Sequence, residues 1–158
     1  MKISTKGRYA LRMMLDLAEH PDDGFVSLKD IANRQRISKK YLEQIVPLLV
    51  RSGYLQTGRG FQGGYMLSRS PEQYTIAEIL HVTEGSLAPV TCLDGRVPGC
   101  DRQADCAALP LWTGLNRTIY EYLAGFSLKD LMDQEHARAN TLSARSNETP
   151  SDIIPDLR

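Results

Sequence analysis

Cysteine is absent from this 158-residue chain except between residues 92 and 106, where all three thiols fall within CLDGRVPGCDRQADC. Long apolar runs are missing too. None approaches the roughly 18–20 residues that a membrane helix needs, and the opening MKISTKGRYALRMML has neither the apolar h-region nor the small-residue cleavage site of a signal peptide. These absences predict a cytoplasmic protein without a membrane partner. In a reducing compartment, clustered cysteines point to metal binding or redox sensing rather than to structural disulfides. There is no CxxC pair, which argues against a zinc finger or ribbon. There is also no GxxxxGK[ST] phosphate cradle and no nucleophile with an attendant base, so the chain does not read as an enzyme.

The formal net charge is zero, but its distribution is uneven. Residues 1–70 hold twelve Lys and Arg against six Asp and Glu, a net of +6, whereas residues 71–158 hold seven against thirteen, a net of −6. A basic first half predicts a polyanionic partner for that half alone.

The spacing of Tyr9, Ala10, Met13, Met14, Leu17 and Ala18 predicts an amphipathic helix over residues 5–19, ended by HPDDG. Ser27 and Asp30 then bracket the start of a short capped helix in SLKDIANRQ, and Ser38 caps another beginning KKYLEQIV. Two short capped helices joined by a tight turn predict a helix-turn-helix. In the second, Leu42, Ile45, Val46 and Leu49 form an apolar stripe, leaving Lys39, Lys40, Glu43 and Gln44 to face a groove. Lysine suits phosphate or guanine, glutamine pairs with adenine, and glutamate accepts from cytosine. Pro47 is expected to kink this helix or end it early. Strands at Tyr54–Thr57 and Tyr65–Ser68, separated by a glycine-rich turn, predict a β-hairpin wing with Arg59 at its tip.

Residues 75–84 read as a further helix. After the cysteine stretch, Trp112, Leu115, Ile119, Tyr122, Leu123 and Phe126 recur every three to four residues, predicting a helix that buries this face against a second subunit. Ser127 starts a short last helix to about Glu135. The fold expected is mainly α with a small β wing. It comprises a winged helix-turn-helix at 1–85, a cysteine-containing sensor loop at 86–108, a dimerisation helix with a short terminal helix at 109–137, and a disordered tail at 138–158.

Cys92, Cys100 and Cys106 are soft donors, and their wide spacing suits a cluster wrapped by a loop, or else a set of free, oxidant-sensitive thiols. Three thiolates leave a fourth ligand to come from Asp94, Asp101, Asp105, His81, a partner subunit or a small molecule.

MKISTKGRYAL at the start, YLEQIV in the recognition helix, RGFQGGYML in the wing and the cysteine triad ahead of an amphipathic helix together resemble the Rrf2 (Rrf-two) family of bacterial winged-helix regulators, over about residues 1–135. The resemblance implies a homodimeric repressor that binds a partly palindromic double-stranded DNA operator. It implies Ser38, Lys39, Lys40, Tyr41, Glu43, Gln44 and Arg59 as DNA contacts. It also implies Cys92, Cys100 and Cys106 as ligands of an iron–sulfur cluster, two-iron two-sulfur in preference to four-iron four-sulfur, as in IscR-like members. IscR-like members place a histidine three residues after the third cysteine and NsrR-like members supply an aspartate near the N-terminus, where this chain has Leu109 and Arg8. CymR-like members share the opening, and imply instead control by direct thiol oxidation or by a regulatory protein partner, with no cluster.

Overall fold

The computed structural model describes residues 2–58, 60, 63–95 and 100–146, with side chains through Thr141. Helix α1 (Thr5–Glu19) is opened by Ser4, whose Oγ accepts from Gly7 N–H at 3.3 Å. Its inward residues Ala10, Met13, Met14 and Leu17 form the centre of the core. Helix α2 (Leu28–Gln35) is capped by Ser27 and α3 (Lys39–Arg51) by Ser38, each through its hydroxyl to the backbone N–H three residues on. Helix α4 (Ile76–Glu84) adds Ile76, Ile79 and Leu80 to the same core. Thr75 and Glu78 make a reciprocal capping box at its start.

Of the kink or early end expected at Pro47, the early end does not occur: the helix runs on to Arg51. The lost N–H bond falls on an exposed turn, open to solvent, while buried Leu42, Ile45, Val46 and Leu49 pin the helix on both sides of the proline.

The wing consists of β1 (Leu55–Gly58) and β2 (Gly64–Leu67), antiparallel, with Leu55 opposite Leu67 and Thr57 opposite Tyr65. A third segment, which the sequence reading missed, joins it: Val26, just before α2, exchanges two 2.9 Å backbone bonds with Tyr65. Gly64 permits that approach, since a Cβ there would lie 2.3 Å from the Val26 carbonyl oxygen. The wing is thus bonded directly to the head of the helix-turn-helix. Behind it, the buried Tyr74 hydroxyl donates to the Tyr54 carbonyl and accepts from Arg69 N–H, each at 2.9 Å.

Helix α5 (Leu109–Ala124) follows the cysteine loop, and α6 (Leu128–Ser146) packs on α1. Where α5 passes into α6 the chain returns to the base of α4: Ile76 N–H donates to the Phe126 carbonyl and Leu128 N–H to the Tyr74 carbonyl, both at 2.9 Å. Helix α6 is longer than the sequence suggested. It continues through Ser146, where a disordered tail was expected from Arg138, because HARANTLSARS contains no glycine or proline and several good helix formers. The rest of the expected tail, 147–158, lies outside the described residues. No helix among the described residues is long and apolar enough to cross a membrane.

The contact of α6 with α1 carries a pH dependence. Half-buried Glu19 faces His136 at 3.9 Å. Burial pushes its carboxyl up and Glu135 adds to this, with His136 and His20 opposing. A carboxyl that binds its proton more tightly when folded than when unfolded lends full stability only below its ordinary 4.5, and that contribution is lost as pH rises through the folded value. Glu19→Gln is therefore expected to be more stable than the parent at neutral pH, by a few tenths of a kcal/mol because solvent screens the site. Thermal melts should show the difference fading as the pH is lowered through about 4.

Candidate nucleic-acid interface and cysteine loop

The exposed face of α3 begins at its cap. Ser38 is in extended backbone, with its Oγ 3.2 Å from the N–H of Tyr41. Lys39, Lys40, Glu43 and Gln44 are exposed, as the helical spacing required. Their charges are not equivalent: Lys39 Nζ lies 3.4 Å from Glu43 Oε1, one turn on, and Lys40 makes no ion pair among the described residues. Tyr41 points elsewhere. It is half-buried and packs edge-on against Tyr9 of α1, with ring centroids 5.2 Å apart, so it braces the recognition helix rather than standing out from it. Arg59 lies outside the described residues. Between α3 and the wing runs a groove lined by Ser27, Lys29, Lys39, Glu43, Thr57 and Tyr65, with Lys29 a second cation that the sequence reading did not single out.

What aims α3 is an ion pair, also missed in the sequence, at the back of the helix-turn-helix, between buried Asp16 and Arg34, whose side chain stays 31% exposed. Asp16 of α1, 1% exposed, accepts from Arg34 Nη2 at 2.6 Å, from Arg34 Nε at 3.0 Å and from Gln35 Nε2 at 3.0 Å. The bond to this carboxylate holds the Arg34 guanidinium above its ordinary range. Arg12 donates to the side chain and the carbonyl of Gln35. Helix α2 is thereby fixed on α1 at its C-terminal end, one turn before α3 begins.

The cysteines all lie on the connection from α4 to α5. Cys92 is half-buried in a short 3-10 turn at Thr91–Leu93, Cys100 is exposed, Cys106 is half-buried, and all three are free thiols. Among the described residues, no three of His, Cys, Asp or Glu converge as a metal site. His81 is exposed on α4 and lines a cleft of about 390 Å³ with Leu87, Leu93, Asp94, Arg117 and Tyr120. The loop leaves α4 at a tethered point. Glu84 Oε1 accepts from Ser4 N–H at 3.0 Å and from Ser4 Oγ–H at 2.8 Å. It nests against Gly7, where a Cβ would fall 2.2 Å from that oxygen.

Helix α5 buries no residue completely. Trp112, Ile119, Leu123 and Phe126 are half-buried, whereas Leu111, Leu115 and Tyr122 are 65%, 41% and 66% exposed along one line. At 100° per residue these last three fall within a narrow arc, an apolar edge turned largely to solvent, with Tyr122 also edge-on to Phe126, ring centroids 5.2 Å apart.

Two capped helices with a hairpin bonded to the segment before them define a winged helix-turn-helix, and with it a DNA-binding transcriptional regulator. Residues 3–134 match the Rrf2 family, described as "Iron-dependent Transcriptional regulator", and the chain belongs to that family. It is 40% identical over 132 residues to "Protein rrf2" of Nitratidesulfovibrio vulgaris, covering 84% of this chain and 87% of that one. Among solved structures it resembles CymR (YrzC), the global cysteine regulator of B. subtilis, at 36% identity and a TM-score of 0.69, covering 85% of this chain and 98% of that one. It also resembles T. potens IscR, at 34% identity and a TM-score of 0.67, covering 85% and 88%. The family and these relatives are transcriptional regulators and not enzymes. Because both CymR and IscR are among them, kinship defines a regulator without defining what it senses.

Proposed function

We propose that this chain is a homodimeric repressor that reads DNA with α3 and the wing and reports the state of its three cysteines to that reading head. One observation carries the proposal: every thiol in the chain lies on the segment joining α4, part of the DNA-binding core, to α5, which offers an apolar edge to a second copy. Ser38, Lys39, Lys40, Glu43 and Gln44 enter the major groove, Tyr41 sets their angle, and Arg59 reaches the backbone or a narrow minor groove. Joined through α5, two heads meet half-sites about 34 Å, one helical turn, apart.

Three free thiols of graded exposure are a donor set that fits an iron–sulfur cluster. Cys92, Cys100 and Cys106 would hold it, the two-iron form preferred, and when bound it supplies a redox-responsive centre. This chain's own residues do the rest. To hold it, the loop would have to gather the three sulfurs at one place. It is anchored at one end by Glu84 on Ser4 and at the other by α5, so ordering it biases the separation of the two heads and their fit to DNA. The exposure of Cys100 favours a second reading, in which the thiols are oxidised directly and no cluster forms.

Anaerobic purification, with a visible spectrum and iron and sulfide analysis, tests the choice. The cluster reading expects a coloured parent containing iron and sulfide and a colourless, iron-free Cys92→Ala. A colourless, iron-free parent that still binds DNA would replace it with the thiol reading.

A further inference from the structure

The turn between α2 and α3 holds a residue that its backbone does not favour. Arg36 has φ +52° and ψ +44°, and it is the only non-glycine at positive φ among the described residues. The other five such positions, 24, 53, 60, 85 and 95, are all glycine. The local hydrogen bonds explain the conformation. Arg36 N–H donates to the Asn33 carbonyl at 3.3 Å and Ile37 N–H to the Ala32 carbonyl at 3.0 Å, the six-to-one and five-to-two pair that closes a helix around a left-handed residue. Buried Ile37 completes the motif, so the backbone is dictated by the fold and the position calls for glycine. The arginine side chain does not offset that strain through any protein contact. It is exposed and makes no hydrogen bond or ion pair among the described residues.

Strain retained at an exposed position points to a role outside the fold. The turn sits two residues before the cap of α3, and a recognition helix enters the major groove N-terminus first, so Arg36 stands where the groove wall rises to the phosphates. We propose that Arg36 is a sequence-independent phosphate contact that clamps the helix-turn-helix onto DNA. This rests on the DNA-binding role of α3 and adds a residue that neither the sequence motifs nor the exposed face of that helix includes. An arginine at this place also meets the negative end of the α2 dipole, a purely structural role that the same experiment separates.

The test measures binding of the full chain to a mixed-sequence duplex of about 30 base pairs, room for two half-sites one turn apart, across a series of salt concentrations, together with thermal melts. Arg36→Gly is expected to melt no lower than the parent and to bind about tenfold more weakly, the scale of one hydrogen bond to a charged group. Its log–log salt slope should fall by about 0.9. Arg36→Asn, which tolerates the same backbone without the charge, should behave alike, and Arg36→Lys should recover most of the binding. Unchanged affinity and slope in Arg36→Gly, while Lys40→Ala weakens binding, overturns the proposal and leaves the α3 face standing. A lower melting temperature in Arg36→Gly with unchanged binding assigns the residue to the helix dipole instead. If Lys40→Ala is also without effect, the DNA face itself is misplaced and Arg36 falls with it.

Discussion

Leu115→Arg combined with Tyr122→Arg should convert the protein to a monomer and weaken DNA binding by roughly two to four orders of magnitude at fixed salt. Neither side chain belongs to the buried core, at 41% and 66% exposure, and Tyr122 gives up only an edge-on ring contact with half-buried Phe126, so the substitution should leave the protomer folded, with an unchanged circular dichroism spectrum. In a dimer the same positions would be buried, and each large apolar side chain contributes about 1.5–3 kcal/mol when removed from water. Two guanidinium groups facing their symmetry copies reverse the sign of that contribution. Loss of DNA affinity follows because the second half-site no longer benefits from being tethered to the first. Sedimentation velocity and fluorescence anisotropy on one duplex measure the two effects. A variant that stays dimeric would move the interface off this edge of α5.

The largest effect on stability is expected at Arg34. Removing its side chain strips the charged hydrogen bonds from the Asp16 carboxylate, which is 1% exposed with Arg34 in place, and leaves Gln35 to donate to it. Because removing the solvent-facing Arg34 side chain also lets water reach the carboxylate, the cost is that of the lost charged hydrogen bonds, about 1.5–3 kcal/mol. At roughly 2–4 °C per kcal/mol for a chain of this size, Arg34→Ala should melt about 3–12 °C below the parent. Asp16→Leu together with Arg34→Ala should recover part of that loss, since the uncompensated charge is then gone and the pocket is apolar. Equal losses in the single and the double variant would show that the pair acts through packing rather than charge. Because this pair sets α2 on α1, the single variant should also bind DNA more weakly at temperatures well below its melt.

Features governed by neighbours three or four positions away were legible in the sequence. Ser27 and Ser38 were readable as caps because a hydroxyl at that place bonds the N–H three residues on, whatever the tertiary fold. The exposure of Lys39, Lys40, Glu43 and Gln44 followed from the stripe of Leu42, Ile45, Val46 and Leu49 on the other face. Contacts between distant segments could not be read in this way. Val26 reaches Tyr65, and Asp16 reaches Arg34, only because the helices fold back, and neither pair leaves a periodic trace. Tyr41 shared the helical face of the DNA contacts but turned inward, since Tyr9 offers an aromatic edge from α1 that no local rule reveals. The period of α5 showed an apolar stripe but not its division, in which Trp112 and Ile119 lie half-buried while Leu115 and Tyr122 remain outward. For the cysteines the sequence gives composition and spacing, whereas convergence depends on a loop whose path the spacing does not determine.

The paired bonds between Tyr74–Ile76 and Phe126–Leu128 have a consequence for how such a molecule diversifies. They close the base of an excursion that begins with α4 and ends with α5, so the two ends meet whatever lies at the tip. Doubling the length of a connection closed in this way adds only about 0.6 kcal/mol of closure entropy. Cysteines can be inserted, respaced or deleted between Gly85 and Ala108 while the wing, the recognition helix and their mutual angle stay as they are. On the sensor role proposed for this segment, the architecture separates inheritance of the reader from inheritance of the stimulus, so that a lineage could exchange the signal it answers to without relearning how to grip DNA.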